Sequence, residues 1–252
     1  MLEHFALGSL HPTYLLLSMP KRTKQAKAQS TSLPATKPQK PHFPAIPPPT
    51  SLPLNSVAIR EYQIIVLPNF LSSEACKLFL RHFSNWPLIP TPPPGKNEAT
   101  RTNSRLSVQD PQFAKSLYCE TGLEDFVSGW TVTVGKRKWQ VKGLHSNIRI
   151  YRYEKGQFFG PHYDSCTRDA VTGYTSHWTL LVYLTGVEDG LEGGEIVFHD
   201  GNKNDHPREI VVPIERGSAL LHRHSGGDCL LHEARPVING TKWVLRSDVV
   251  FG

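Results

Sequence analysis

The chain has few cysteines and no long apolar segment. Its 252 residues include 4 cysteines that stand far apart and form no C-x-x-C pair, so neither a zinc ribbon nor a disulfide framework is expected. Reduced thiols favour an intracellular protein, either cytoplasmic or nuclear. The apolar run at residues 14–17 is too short to cross a bilayer, and we therefore predict no membrane association.

Acidic residues are absent from residues 19–40, which carry six of the basic residues behind the net charge of +6. This stretch is rich in Pro, Lys, Ser and Thr, and such a composition buries too little apolar surface to offset chain entropy. We predict that residues 1–55 form a disordered basic, proline-rich tail. Residues 20–27 then serve either as a nuclear import signal or only as a solubilising cluster.

The remaining residues, 56–252, are predicted to form one domain. A helix signal at Ser72–Glu74 precedes apolar residues at helical spacing, and a second helical region, 112–127, is broken at Gly122. Between them lies a proline-rich loop with Arg101 and Arg105. Eight short strands follow, at residues 147–153, 158–162, 177–184, 195–198, 209–213, 219–222, 229–232 and 242–250. This order predicts a mainly β fold with helices (α+β), in which N-terminal helices brace a double-stranded β-helix, or jelly-roll barrel, with its core at about 145–250.

His162 and Asp164 offer a candidate metal site. Residues i and i+2 of an extended chain point to the same side, so an imidazole and a carboxylate could bind one face of a divalent ion. His232 lies far enough along the chain for intervening strands to return it beside them. Two histidines and one carboxylate with open positions are typical of non-haem Fe(II) oxygenases. His222 and His224 form a second same-face pair, for which we expect a structural or rim role.

The last predicted strand supports the same site, because Lys242, Val244 and Arg246 share one face. A barrel interior rejects an unpaired charge, so a lysine there implies that an anion binds in the pocket. Tyr183 and Thr179 share a face of another strand, and Tyr153 lies on a third; their hydroxyls could add hydrogen bonds to a bound carboxylate. Arg246 either joins them or pairs with Asp248 or Glu233.

Four blocks of sequence resemble the catalytic domain of prolyl 4-hydroxylase-like Fe(II)/2-oxoglutarate dioxygenases. They begin at Arg149, Glu192, Gly217 and His232, and read R-x-Y-x-Y-x-x-G-Q-x-F-x-x-H-x-D, E-G-G-E-x-x-F, G-S-A-L-L and H-E-x-x-P-V-x-x-G-x-K. The resemblance implies that His162, Asp164 and His232 bind iron, that Lys242 binds the distal carboxylate of 2-oxoglutarate, and that Tyr183 contacts that carboxylate as well. It also implies O2 as a co-substrate and ascorbate as a supporting reductant.

The predicted function is hydroxylation of a substrate C–H bond, with a prolyl residue of a protein or peptide as the expected target. One alternative is a nucleic-acid oxidative demethylase on the same fold, which the basic tail favours. Another is a non-catalytic barrel that holds a metal and only binds partners. The sequence leaves open the role of the Arg101–Arg105 loop and the oligomeric state.

Overall fold

The computed structural model describes residues 41–201, 208–224 and 229–252, all of which lie in one compact unit. No helix within these ranges is long and apolar enough to cross a bilayer. Three helices precede most of the strands: α1 (Ser73–Phe83), α2 (Pro111–Cys119) and α3 (Leu123–Phe126). The strands are β1 (Val57–Arg60), β2 (Ile64–Leu67), β3 (Ile89–Pro90), β4 (Ser104–Gln109), β5 (Thr131–Val134), β6 (Arg137–Leu144), β7 (Asn147–Tyr153), β8 (Phe159–His162), β9 (Thr175–Tyr183), β10 (Glu192–Gly193), β11 (Ile196–Asp200), β12 (Arg208–Val212), β13 (Ala219–Arg223), β14 (Leu231–Ala234), β15 (Val237–Asn239) and β16 (Lys242–Phe251).

The strands form two main antiparallel sheets that enclose a cavity. The larger sheet runs β1-β2-β13-β9-β16-β7-β4-β3, with β6 also paired to β16, and the smaller sheet runs β12-β11-β14-β8. The inner strands of both sheets pair with strands that are distant in sequence, such as β13 with β9, β9 with β16 and β14 with β8, as a double-stranded β-helix requires. All eight predicted strands are present, so the predicted fold class is confirmed.

Residues of the larger sheet alternate between two apolar cores, because successive side chains of a strand point to opposite faces. On β9, Leu180 and Val182 pack on the side of the helices, whereas Leu181 and Tyr183 face the cavity. Both faces are therefore buried, and nearly every residue of β9 is apolar or buried. The predicted face shared by Thr179, Leu181 and Tyr183 follows from this alternation.

Helix α1 begins where its sequence signal predicts. The Ser72 side chain accepts a hydrogen bond from the backbone N–H of Ala75 at 3.1 Å, which caps the first turn. Cys76, Phe79 and Phe83 then recur at helical spacing and are fully buried against the larger sheet. The predicted break in the second helical region is also present: Gly122, with φ +81°, separates α2 from α3.

The predicted tail boundary at residue 55 is wrong. Residues 1–40 lie outside the described ranges, but residues 41–55 are described, and Phe43, Ile46 and Leu54 pack in or against the core. The Phe43 ring stacks on Phe113 at a centroid distance of 4.0 Å, and Ile46 is buried. These three apolar side chains anchor a segment whose overall composition is typical of disorder.

Among the strands before residue 147 that were not predicted are β4 and the hairpin of β5 and β6. Strand β4 reads SRLSVQ and β6 reads RKWQVKGL, so polar and charged residues fill one face of each. Such strands carry a weak hydrophobic signal and are held by backbone pairing with neighbours, β4 with β7 and β6 with β16. Strand β4 matters for function because it leads from the proline-rich loop to the cavity mouth.

Candidate metal and co-substrate site

Strands β8 and β14 bring the predicted metal ligands together. In their antiparallel pairing His162 lies directly opposite His232, and Asp164 follows two residues after the His162 end of β8. One ligand atom from each of the three residues lies within 4.8 Å of the others. The two imidazole centroids are 4.2 Å apart. The structure therefore assembles all three predicted ligands at one point of the cavity.

Both histidines present the same ring nitrogen to this point. Nδ1 of His162 donates to the carbonyl of Gly160 at 2.9 Å, and Nδ1 of His232 donates to the carbonyl of Leu230 at 2.9 Å. A proton on each Nδ1 leaves the Nε2 lone pair free for a metal ion. Burial lowers the pKa of both rings, to about 4 for His162, which keeps them neutral at physiological pH.

Asp164 is held by an ion-pair network. Nη2 of Arg246 lies 3.0 Å from Oδ2 of Asp164 and 3.2 Å from Asp248, and Arg149 contacts the other oxygen of Asp248 at 2.8 Å. The Thr179 hydroxyl donates to Oδ2 of Asp164 at 2.7 Å. Burial alone would raise the pKa of Asp164, but Arg246 and neighbouring groups hold it well below the usual value. The carboxylate is thus ionised and fixed in position.

These contacts give two of the predicted co-substrate residues, Thr179 and Arg246, partners within the protein. Thr179 engages Asp164 instead of the Lys242 end, because it lies four residues, about 13 Å of extended strand, from Tyr183 on β9. Arg246 pairs with Asp164 and with Asp248, which was one of the two partners left open. The other, Glu233, lies 3.2 Å from His199.

His222 was predicted to have a structural or rim role, yet it lines the cavity. Its Nε2 lies 3.6 Å from Oδ2 of Asp164, its ring centroid is 4.7 Å from that of His232, and its Nδ1 is buried with no hydrogen-bond partner in the described residues. The alternating pattern of β13 carried this signal, since His222 falls on the same face as Leu220, which packs in the inner core. Its same-face partner, His224, contacts Thr179 at 3.1 Å.

Lys242 is buried at the other end of the cavity, 1% exposed. Its Nζ donates to the carbonyl of Gly194 and lies 5.2 Å from the ring of Tyr153 and 5.6 Å from that of Tyr183. Burial lowers the pKa of Lys242 to about 7. No carboxylate of the described residues forms an ion pair with it, and the buried Tyr183 hydroxyl has no hydrogen-bond partner there. A buried cation and an unsatisfied hydroxyl at one place suit a carboxylate ligand.

The donor set fits the cofactors that the sequence implies. Two neutral Nε2 atoms and one carboxylate form the facial arrangement of non-haem Fe(II) sites, and such a site leaves positions open for other ligands. The cavity between the triad and Lys242 has apolar walls formed by Leu181, Ile196 and Val244. A dicarboxylate that binds the metal at one end would meet Lys242 and Tyr183 at the other.

Part of the chain resembles a known protein superfamily. Residues 148–247 match the model of the 2OG-Fe(II) oxygenase superfamily, and they include the triad, Lys242 and Arg246. This stretch is therefore similar to that superfamily, whose description names 2-oxoglutarate and Fe(II). The chain is also similar in sequence to prolyl 4-hydroxylases.

Two plant proteins illustrate this relationship. Probable prolyl 4-hydroxylase 4 of Arabidopsis thaliana is 33% identical over 144 residues, which cover 49% of this chain and 45% of that protein. Prolyl 4-hydroxylase 2 of the same plant is 28% identical over 166 residues, which cover 58% and 54%. The chain therefore spans about half the length of these two relatives.

Solved structures share the fold. The prolyl hydroxylase of Trichoplax adhaerens, solved in complex with a hypoxia inducible factor oxygen degradation domain peptide fragment, has a TM-score of 0.55 at 14% identity, covering 77% of this chain and 86% of that chain. The viral collagen prolyl hydroxylase of Paramecium Bursaria Chlorella virus-1 has a TM-score of 0.51 at 19% identity, covering 75% and 97%. Both support the double-stranded β-helix assignment.

Proposed function

We propose that this protein is an Fe(II)- and 2-oxoglutarate-dependent dioxygenase that hydroxylates a C–H bond of a peptide or protein, with a prolyl residue as its target. The observation that carries the proposal is the convergence of His162, Asp164 and His232 at one end of a cavity whose other end contains Lys242, which has no carboxylate partner among the described residues. The relationship to prolyl 4-hydroxylases supports the choice of prolyl residue.

The chain's own residues bind and orient the reactants. Nε2 of each histidine and one oxygen of Asp164 would hold Fe(II), while Arg246 and Thr179 keep the carboxylate in place. Lys242 and Tyr183 would bind the distal carboxylate of 2-oxoglutarate by charge-assisted hydrogen bonds. When bound, Fe(II) would supply the oxidant by coupling O2 to the oxidation of 2-oxoglutarate to succinate and CO2. The apolar walls exclude water from the reaction.

Purified protein supplied with Fe(II), 2-oxoglutarate and ascorbate tests the proposal. We expect succinate to form, faster with ascorbate, and we expect His162→Ala and Asp164→Ala to abolish it. A mass increase of 16 Da on prolyl residues of a proteome, present with the parent and absent with Asp164→Ala, would establish the target. If no succinate forms and the protein still binds metal, the chain is instead a non-catalytic metal-holding barrel.

An intracellular location, cytoplasmic or nuclear, also belongs to this proposal. It is supported by the four cysteines, all of which are free thiols. Imaging of the full-length protein with an epitope tag tests the location, and secretion into the medium would contradict it.

A further inference from the structure

Two arginines from the proline-rich loop and from β4 line the mouth of the cavity. Arg101 lies closest to the metal site: its guanidinium carbon is 4.1 Å from the ring centroid of Tyr151 and 4.5 Å from that of Phe159. The Phe159 ring stacks in turn on His162 at 3.6 Å. Arg101 is therefore separated from a predicted metal ligand by a single aromatic ring.

The Arg101 side chain is held in place, but one of its hydrogen-bond donors is unpaired among the described residues. Its Nε donates to Oδ1 of Asn103 at 2.7 Å, and the two aromatic rings hold the plane of the guanidinium by cation–π contact. Its Nη2 is buried and has no hydrogen-bond partner in the described residues. Because an unpaired buried donor is costly, this geometry is that of a preformed site for an acceptor supplied from outside.

Arg105 extends the site along the mouth. It lies directly opposite Tyr151 in the pairing of β4 with β7, so both arginines flank the same tyrosine. Both line a groove of about 710 Å³ that reaches the triad. In the described part of the chain, neither arginine forms an ion pair with a carboxylate. Glu98, also in this groove, accepts a hydrogen bond from its own turn, at Gly95.

Unlike Arg101 and Arg105, the neighbouring arginines form ion pairs. Arg149 and Arg246 line the adjoining part of the mouth, and each is paired with Asp248 or with Asp164. Among the described residues of the mouth, the uncompensated positive charge is thus located at Arg101 and Arg105, which line the same groove as His162 and Asp164.

We propose that this groove binds an acidic peptide, in which a Glu or Asp side chain near the hydroxylated residue binds Arg101 and Arg105. The proposal rests on the proposed function and names its substrate class. A peptide suits the groove because Pro92, Pro94 and Pro161 give it apolar walls beside the two cations. Nucleic acid would require several phosphate contacts, whereas the described residues of the mouth offer two unpaired cations, Arg101 and Arg105.

Binding is measured without turnover, so that its result is independent of catalysis. The full chain, loaded with Mn(II), is titrated against fluorescein-labelled ten-residue peptides with one central proline flanked by Glu, by Gln or by Lys, and against a ten-nucleotide single-stranded DNA. We expect the Glu peptide to bind at least about tenfold more tightly than the Gln peptide, and the Lys peptide to bind most weakly, because a hydrogen bond to a charged group contributes that much. Fluorescence anisotropy gives each Kd.

Variants then locate the effect. Arg105→Gln should remove most of the preference for the Glu peptide and leave the Gln peptide's Kd unchanged. Arg137→Gln, at an exposed position on the β5–β6 hairpin, is the matched control and should change neither. Arg101→Lys keeps the charge but loses the planar guanidinium, so it should weaken the preference without unfolding the protein, which a thermal melt verifies.

Several results would overturn the proposal. They are equal binding of the three peptides, a Glu preference that survives in the Arg101→Lys/Arg105→Gln double variant, and DNA binding tighter than that of the Glu peptide and lost in Arg105→Gln. A loss of 2-oxoglutarate binding in Arg101→Lys with peptide preference intact would instead assign Arg101 to the co-substrate. If succinate never forms but the Glu preference holds, the proposed function fails while this site stands.

Discussion

The two ends of the cavity carry charge in different ways. At the metal end, two aspartates and two arginines compensate one another: Asp164 pairs with Arg246, and Asp248 pairs with Arg246 and Arg149. At the other end, Lys242 is buried beside two tyrosines, with no carboxylate partner in the described residues.

This difference indicates that one end of the cavity is preorganised and that the other end is suited to bind an anion. The paired end is complete before any ligand arrives, so it can hold a metal ligand rigidly at small cost when the metal binds. The unpaired end is destabilising by itself, since a desolvated cation lacks compensation, and a carboxylate ligand would relieve that cost. Substitutions at the two ends should therefore have opposite effects on the stability of the ligand-free protein.

Breaking the paired end should give the largest effect. Arg246→Met leaves two buried carboxylates without their shared cation, so we expect a loss of about 3–5 kcal/mol in the free energy of unfolding. Affinity for Mn(II) or Co(II) should fall about 10–100-fold, because Asp164 loses its support. Chemical denaturation and calorimetric titration measure the two quantities.

Arg137→Met, at an exposed position, is the control for this change and should affect neither quantity. Compared with Arg246→Met, Arg246→Lys should restore stability more fully than metal affinity, because a lysine supplies the charge but not the bidentate contact with Asp164. Unchanged metal affinity in Arg246→Met together with weaker 2-oxoglutarate binding would mean that Arg246 serves the co-substrate.

Removing the unpaired cation should act in the opposite direction. Lys242→Met keeps the volume and removes a buried charge, so we expect the ligand-free protein to gain about 1–4 kcal/mol in stability. It should also lose about 2–5 kcal/mol of 2-oxoglutarate binding, seen as loss of the thermal stabilisation by that ligand. Lys138→Met on β6 serves as the exposed control. A destabilised Lys242→Met protein would contradict the contrast between the two ends.

The pH dependence sharpens the same contrast. Because the pKa of Lys242 is lowered to about 7, the folded ligand-free protein binds fewer protons than the unfolded chain between about pH 7 and the ordinary lysine value of 10.5. The free energy of unfolding of the ligand-free protein should therefore rise with pH across this window. The affinity for 2-oxoglutarate should fall by up to about tenfold per pH unit above pH 7, because Lys242 loses its charge. Both trends should flatten in Lys242→Met. A pH-independent 2-oxoglutarate affinity between pH 7 and 9 would exclude the charged lysine as the carboxylate partner.

The smallest expected effect concerns the hydroxyl of Tyr183. Tyr183→Phe removes a buried group that has no hydrogen-bond partner in the described residues, so the ligand-free protein should keep its stability or gain slightly. Affinity for 2-oxoglutarate should fall by about 1–2 kcal/mol, measured by calorimetry. Tyr62→Phe, at a residue that is 79% exposed, is the control. An unchanged affinity would remove Tyr183 from the carboxylate site.

Short-range pattern was sufficient to predict much of this protein from its sequence. Strand alternation placed His162 beside Asp164 and aligned Lys242 with Val244 and Arg246, because the side-chain period of a strand is two whatever the sheet. Capping chemistry at Ser72 set the start of α1 for the same local reason. These features depend on neighbours within a few residues, and the sequence contains them in full.

Only the tertiary structure decided which partner each long or ambiguous side chain takes. Arg246 had Asp248, Glu233 and a co-substrate within its conceivable reach, and the register of β16 against β7 and β9 selected Asp248 and Asp164. The cavity position of His222 and the clamping of Arg101 between two rings likewise depend on strands that meet from distant parts of the chain. The sequence alone predicted the candidate ligands and the strand faces on which they lie, because the side-chain period of a strand is a local property. The fold determined which charged side chains are paired, because pairing depends on the distances between segments.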